Sequence, residues 1–269
     1  MTAFATLTLF YEKCRFRADF GASSQPIGRE IYARRVRFTT WNLWAGDTTA
    51  KLARLIPRPD VAVLCEVAQS LPSPAAGQSV PTWEWTGTLP DRGVAIASWT
   101  IGMERATPSD ATTPGRHGLA VRLANGVGVV GLWACPEEKG RSYGSEVIST
   151  IDSYESLLMS QPCLLAGDFN LTPGGQADRR AGVTRRLREL GYVSAYHAYN
   201  GIDLGDEQPT YFHQFKRDRP FHIDMIFLPE HLVPNIRSVD IAVYDGWIDA
   251  VPGRSDHVPV TIELELPTQ

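Results

Sequence analysis

Short apolar runs of strand length, separated by polar turns, dominate the chain from residue 36 onward. VRFTTWN (36–42), VAVLCEV (61–67), GVAIASW (93–99), GLAVRL (118–123) and GVGVVGLW (126–133) read as strands, and the apolar run that ends at Asp168 reads as a buried one. FHIDMIFL (221–228), RSVDIAVY (237–244) and HVPVTIEL (257–264) add three late strands. Ala124, Asn125 and Gly126 form a hairpin signal between two of these runs. Trp83 and Trp85 have alternate strand spacing and read as sheet-face packing. Helical spacing is sparser. Asp47 can cap a short helix running to Ile56, ended by Pro57 and Pro59. Val147, Ile148, Ile151, Tyr154, Leu157 and Leu158 share one face between residues 145 and 160, and Val183, Leu187 and Leu190 point inward from 176–190. Many strands with few helices predict two stacked sheets with outer helices in one α/β domain over residues 36–266. Residues 1–35 lack a clear period and read as an N-terminal extension of unclear structure.

Composition narrows the class. A chain of 269 residues with 43% hydrophobic and 21% charged residues can bury a large core. A net charge of −4 argues against a protein that coats long nucleic acid, although a local basic patch remains compatible with it. Cys14, Cys65, Cys135 and Cys163 show no paired spacing, so reduced thiols are expected rather than a disulfide framework or a zinc site. The opening AFATLTLFY has no basic segment before it and is too short to span a bilayer. The expectation is a cytoplasmic protein with no membrane span.

The chemistry is concentrated where apolar strands stop. LLAGDFNLTP (164–173) places Asp168 and Asn170 at the end of a core strand, an unfavourable site for polar groups unless something polar meets them. Asn42 ends TTWN and Glu66 ends VLCE. Asp256 and His257 follow Gly253, Arg254 and Ser255 at the opening of the last strand. Asp224 sits inside HIDMIF and needs a partner. A histidine at the mouth of another strand supplies one, because a carboxylate on one ring nitrogen fixes the tautomer. Asn42, Glu66 and Asp256 offer hard oxygen ligands with no thiolate, which selects Mg²⁺ or Mn²⁺ over zinc.

TTWN, LCE, GDFN, HID and SDH occur in the order used by the endonuclease/exonuclease/phosphatase superfamily, which the chain resembles over about residues 36–266. The resemblance implies a four-layer αββα sandwich of two mainly antiparallel sheets and metal-dependent cleavage of a P–O bond. By that resemblance Asn42 and Glu66 hold the metal and Asp256 assists them. Asp168 orients or deprotonates the attacking water, and Asn170 holds the phosphate. His257, positioned by Asp224, binds or protonates the phosphate. Many members carry a histidine where GLWACP here has Trp133. The leaving-group proton would then come from His257, from Tyr143 or from water on the metal. A set of bacterial members is similar in having Trp at this place and segments like SAYH (194–197) and HID (222–224).

Further substrate contacts are open. His222, Tyr143, His117 and Arg116 are candidates, the last two being more readily read as loop residues that precede a strand. YFHQFKRDRPFH (211–222) mixes aromatic and basic side chains, which suits a ring beside a phosphate or a packed connection. His197 fits a structural hydrogen bond or a substrate contact. Arg179, Arg180, Arg185, Arg186 and Arg188 fit a solvated helix face. Two functions are expected to compete: a Mg²⁺- or Mn²⁺-dependent phosphoric ester hydrolase (phosphodiesterase, nuclease or phosphatase), and a non-catalytic module that binds a phosphorylated ligand. Partners under the first are phosphate esters, nucleic acid included.

Overall fold

Alternation along the strands sets the architecture. A computed structural model of the chain describes residues 33–70, 79–108, 116–137, 139–249 and 254–267. The strands are β1 (Ala33–Asn42), β2 (Val61–Val67), β3 (Thr82–Leu89), β4 (Arg92–Ser98), β5 (Met103–Arg105), β6 (Gly118–Leu123), β7 (Gly128–Trp133), β8 (Cys163–Asp168), β9 (Tyr192–Ser194), β10 (Tyr211–Phe212), β11 (Pro220–Phe221), β12 (Asp224–Pro229), β13 (Ile236–Ile241) and β14 (Val260–Pro267). The α-helices are α1 (Thr48–Leu52), α2 (Tyr143–Ser153), α3 (Glu155–Ser160), α4 (Gln176–Ala181), α5 (Val183–Glu189) and α6 (Ala195–Asn200). Two six-stranded sheets form, in the orders β13-β14-β1-β2-β4-β3 and β5-β6-β7-β8-β12-β9. Within them β1–β2 and β7–β8 pair parallel and the other neighbours antiparallel. This is the α/β sandwich that the strand pattern predicts.

The period of two sorts each strand between layers. Val36 and Phe38 of β1, Val61, Val63 and Cys65 of β2, Leu164 and Ala166 of β8, and Ile226 and Leu228 of β12 all join the core between the sheets. The intervening residues of β8 and β12, Cys163, Leu165, Met225 and Phe227, face outward under Val147, Ile151, Leu157, Val183 and Leu187 of the helices. On the other sheet Trp41, Ala62, Leu64, Ala95 and Ala97 face outward. There the five-residue α1 and Trp83, Trp85, Trp99 and Trp247 cover them. Cys65 and Cys163 are buried free thiols and Cys135 is a partly buried one.

Several boundaries differ from the sequence expectation. β1 begins at Ala33, so residues 33–35 of the expected extension belong to the sheet; residues 1–32 and most of the loop at 71–78 lie outside the described residues. The helix capped by Asp47 stops at Leu52 rather than Ile56. The long face at 145–160 is two helices broken at Tyr154, and 176–190 is two helices broken at Gly182, whose φ of +74° ends the first. Asp224 is the first residue of β12 rather than an interior one, and the last strand starts at Val260 instead of His257. Among the described residues no helix is long and apolar enough to cross a membrane.

Gly167 in β8 has φ +148°, and a Cβ there would overlap the Leu132 carbonyl of β7. Gly191 is also left-handed (φ +75°), but with open space around it. In urea unfolding, Gly167→Ala is expected to cost about 3 kcal/mol or more, against about 1–2 kcal/mol for Gly191→Ala. Equal losses would show that the β7–β8 approach is not tight.

Candidate active site

Chain direction brings the strand ends to one mouth. β1 and β2 run parallel and end at Asn42 and beside Glu66, while β7 and β8 run parallel and end at Trp133 and Asp168. β12 and β14 run antiparallel to these neighbours, so Asp224 and the residues before Val260 start where the others stop. Asn42 follows Val36 and Phe38 by even steps and faces between the sheets. Asp168 follows Leu164 and Ala166 in the same way.

Glu66 does not follow by alternation, since Cys65 and Val67 already occupy the two faces. The β2–β4 register slips between Cys65 and Val67, and Glu66 takes φ +52°. This bulge re-aims its side chain. Asn170 likewise has φ +51°, and its N–H donates to Asp168 Oδ1 (2.9 Å).

A hydrogen-bonded cluster results. The Asn42 amide nitrogen donates to Glu66 Oε1 (3.0 Å) and Asp168 Oδ2 (2.8 Å). Its oxygen accepts the Trp44 N–H (2.9 Å), so Asn42 turns protons and not an oxygen toward the carboxylates. The Asn170 amide nitrogen donates to Asp168 Oδ2 (3.0 Å) and the Ala134 carbonyl (3.0 Å), which commits both its protons. His257 Nδ1 donates to Asp224 Oδ2 (2.8 Å). His257 Nε2 lies 3.9 Å from Asp256 Oδ1, beyond hydrogen-bond reach. Ser255 Oγ donates to the Asn42 carbonyl (2.7 Å) and accepts from the His257 N–H (3.1 Å), tying β1 to the segment before β14. Thr210 Oγ1 accepts from the N–H groups of Ile223 and Asp224 (3.0 Å each) and fixes the entry to β12.

Charge in this cluster is lopsided. Asp168 and Asp224 stand directly opposite one another across β8 and β12, which is repulsive if both are ionised. Burial and then Asp224 push Asp168 up to about 7, against the opposing pull of His257. Burial alone would lower His257, but the Asp224 charge and hydrogen bond raise it to about 9. Burial raises Asp256 as well. Tyr211 lays its ring 4.5 Å from that of His257, and burial followed by Asp256, Asp168 and Glu66 pushes its hydroxyl up to about 12. Four carboxylates thus share one imidazolium and the more distant Arg92, 3.9 Å from Glu66.

Two carboxylate oxygens, Asp224 Oδ1 and Asp256 Oδ1, are buried with no hydrogen-bond partner. Unpaired buried carboxylate oxygens in a cluster of four acidic side chains suit a divalent cation. Asp168, Asp224 and His257 offer ligand atoms within 4.8 Å of one another. The His257–Asp224 hydrogen bond makes those two a charged pair, however, and leaves Glu66, Asp256 and Asp168 as the better donors.

Other candidates stand apart. His117 is buried with Nε2 on Glu137 Oε1 (3.1 Å) and its ring against Trp133 (4.7 Å), and Arg116 pairs with the same glutamate (3.2 Å). His222 donates from Nδ1 to the Gln208 carbonyl (2.7 Å), and burial keeps its pKa low. His197 bridges Ser194 Oγ (2.8 Å) and Glu207 Oε1 (3.0 Å), a structural tie across the 201–207 loop. Arg179, Arg180, Arg185 and Arg188 are exposed, whereas Arg186 is half-buried and pairs with Asp152 and Glu155. Tyr143 lines a cleft of about 760 Å³ with Asn170, Tyr211, His213, Arg219 and Phe221. Glu137, Thr210 and the buried Lys51, which donates to the Leu43 and Ala45 carbonyls, carry no sequence signal of their own.

Two facing sheets with this acidic, histidine-bearing mouth define the deoxyribonuclease-I-like class of α/β sandwich. The chain belongs to the Endonuclease/Exonuclease/phosphatase family, whose profile matches residues 39–257. Its fold is similar to that of a 3' phosphatase, NExo, from Neisseria bound to a product DNA hairpin (19% identity, TM-score 0.65, covering 86% of this chain and 100% of that one). It is similar also to an AP endonuclease from Archaeoglobus fulgidus (17%, TM-score 0.66, 86% and 100%) and to one from Leishmania major (13%, TM-score 0.63, 87% and 89%). No curated protein sequence matches the chain.

The Asp224–His257 pair gives a pH prediction for metal-free protein. The folded pKa of His257 lies above its unfolded value of 6.5, so the pair stabilises fully below pH 6.5 and loses that contribution as pH rises through 9. Asp224→Asn removes the partner while burial persists, so the His257 imidazole is expected to titrate below 6.5. Imidazole resonances followed by NMR across pH 5–10 check this; an unchanged midpoint near 9 would sink it.

Proposed function

We propose that the chain is a divalent-cation-dependent hydrolase of phosphate esters. The carrying observation is the convergence of Asn42, Glu66, Asp168 and Asp224 from the ends of β1, β2, β8 and β12 with Asn170 just past β8 and Asp256 and His257 just before β14, and with two buried carboxylate oxygens left unpaired. Similarity of fold to a 3' phosphatase and to AP endonucleases supports the same reading.

Glu66 and Asp256 are the residues that would hold a Mg²⁺ or Mn²⁺ ion, which when bound supplies positive charge to the phosphate oxygens. Asn42 keeps Glu66 and Asp168 in register with its two amide protons. Asp168, held by Asn42 and Asn170 and poised near 7, accepts the proton of an attacking water. Asn170 serves as its positioning residue, with no proton left for the phosphate. His257, charged at neutral pH and locked through Nδ1 by Asp224, presents Nε2–H to a phosphate oxygen and then to the leaving oxygen. Trp133 has no transferable proton; of His257, Tyr143 and water on the metal, we assign this role to His257, which sits in the cluster whereas Tyr143 lines the cleft wall.

Asp168→Asn is expected to lower kcat about 10²–10⁴-fold with Mg²⁺ or Mn²⁺ on bis(p-nitrophenyl) phosphate, p-nitrophenyl phosphate and DNA. Wild-type turnover in that variant would remove Asp168 from the mechanism. Glu66→Gln is expected to weaken Mn²⁺ uptake in calorimetry at least tenfold. Tight binding of a phosphoester with no metal-stimulated turnover of any of these substrates would favour a non-catalytic module, which the substitution of Trp133 for a histidine motivates.

A further inference from the structure

Three loops raise an aromatic and cationic stack beside the cluster. Trp44, two residues past Asn42, is 48% exposed, and its ring meets that of Phe215 edge-on with centroids 4.9 Å apart. Arg254, two residues before Asp256, lays its guanidinium over Phe215 at 3.6 Å. The Tyr244 hydroxyl donates to the Phe215 carbonyl (2.7 Å) and carries Arg217 over its own ring at 4.4 Å. Trp44, Ala45, Gln214 and Phe215 have φ of 50°, 54°, 56° and 60°, a region that is unfavourable for any residue with a Cβ. Strain at two adjacent pairs, on the two loops that meet through these rings, is retained only where the surroundings over-determine it. Here it keeps a tryptophan half in water, against the hydrophobic effect, braced by an edge-to-face contact with Phe215, whose ring also carries Arg254.

A second aromatic surface is built from the start of α2 and from the same 211–221 segment that carries Phe215. Tyr143 (44% exposed) and Phe221 (48% exposed) line the cleft at Asn170 together with Tyr211, His213 and Arg219. The segments after β1 and before β14 thus meet one part of the 211–221 segment in a ring-and-cation set, and another part of that segment lines the cleft at Asn170 with Tyr143. A phosphate with an organic group on one side needs one such surface. Flat rings on either side of a phosphate use both. Bases in a duplex are stacked on each other and do not offer their faces, whereas those of a single strand do.

Resting on the phosphoesterase reading, we propose that Trp44, braced by Phe215 and Arg254, is the stacking platform for a base next to the scissile phosphodiester. The substrate class is then single-stranded nucleic acid.

Binding to the Asp168→Asn protein with Mg²⁺ tests this without turnover. The probe is a fluorescein-labelled eight-nucleotide thymidine strand, compared with the same strand carrying tetrahydrofuran sugars in place of its bases. The base-bearing strand is expected to bind at least about tenfold more tightly and to quench tryptophan emission. Adding Trp44→Leu should abolish the quenching and most of that discrimination, with an unchanged thermal melt because the side chain is half exposed. Equal affinity for the two strands, full discrimination without Trp44, or tighter binding of the matching duplex would overturn the proposal. Turnover of bis(p-nitrophenyl) phosphate by the wild-type protein is a separate readout. Its absence would remove the phosphoesterase reading, while its presence beside base-blind binding removes the platform alone.

Discussion

The molecule is organised around a repulsion. Asp168 and Asp224 are opposed across two hydrogen-bonded strands in the interior, where like charges are least tolerated. The His257 imidazolium answers part of it from the other sheet, and amide protons of Asn42 and Asn170 answer another part. What is left over is negative and under-paired. An excess of buried carboxylate has no stabilising purpose of its own, and a cation is the species that would relieve it.

Backbone strain follows the same centre. Among the described residues, the non-glycine positions with left-handed φ are Trp44, Ala45, Glu66, Asn170, Gln214 and Phe215, all in the cluster or on the loops at its lip. Each departs from the local rule that its strand or loop would otherwise obey. Regular alternation would have sent Glu66 to the outer face, under Trp85 and Trp83, where its charge would lack a partner. The surrounding core holds these departures in place. Trp41, fully buried, donates its indole N–H to the His257 carbonyl (2.9 Å), and Lys51 fastens the loop that carries Trp44.

The two sheets are not covered alike. Helices α2 to α5 form a continuous outer layer on one, whereas α1 and a set of tryptophans close the other. Tryptophans from β3 and two loops can cover a sheet of small residues such as Ala62, Ala95 and Ala97, because large and small side chains interlock across the face. The mouth of the sandwich is thereby fixed by packing on both sides.

Sequence alone determined the longer central strands, since apolar runs of strand length bounded by turn residues bury themselves whatever their neighbours do; the short β5, β9, β10 and β11 carry too few apolar residues to be read. The presence of polar residues where the apolar runs stop was readable in the same way. The order of TTWN, LCE, GDFN, HID and SDH carried the family. Only the tertiary structure decided how those ends meet. The bulge that turns Glu66 inward depends on a register slip against β4, and the opposition of Asp168 and Asp224 depends on strand pairing between residues far apart in the chain. The protons of Asn42 and Asn170 are directed by a neighbouring N–H and a carbonyl that no local pattern reveals. Helix breaks at Tyr154 and Gly182 escaped the periodicity because an apolar face continues across a kink. Long-range pairing sets these features, and a one-dimensional pattern holds no record of it.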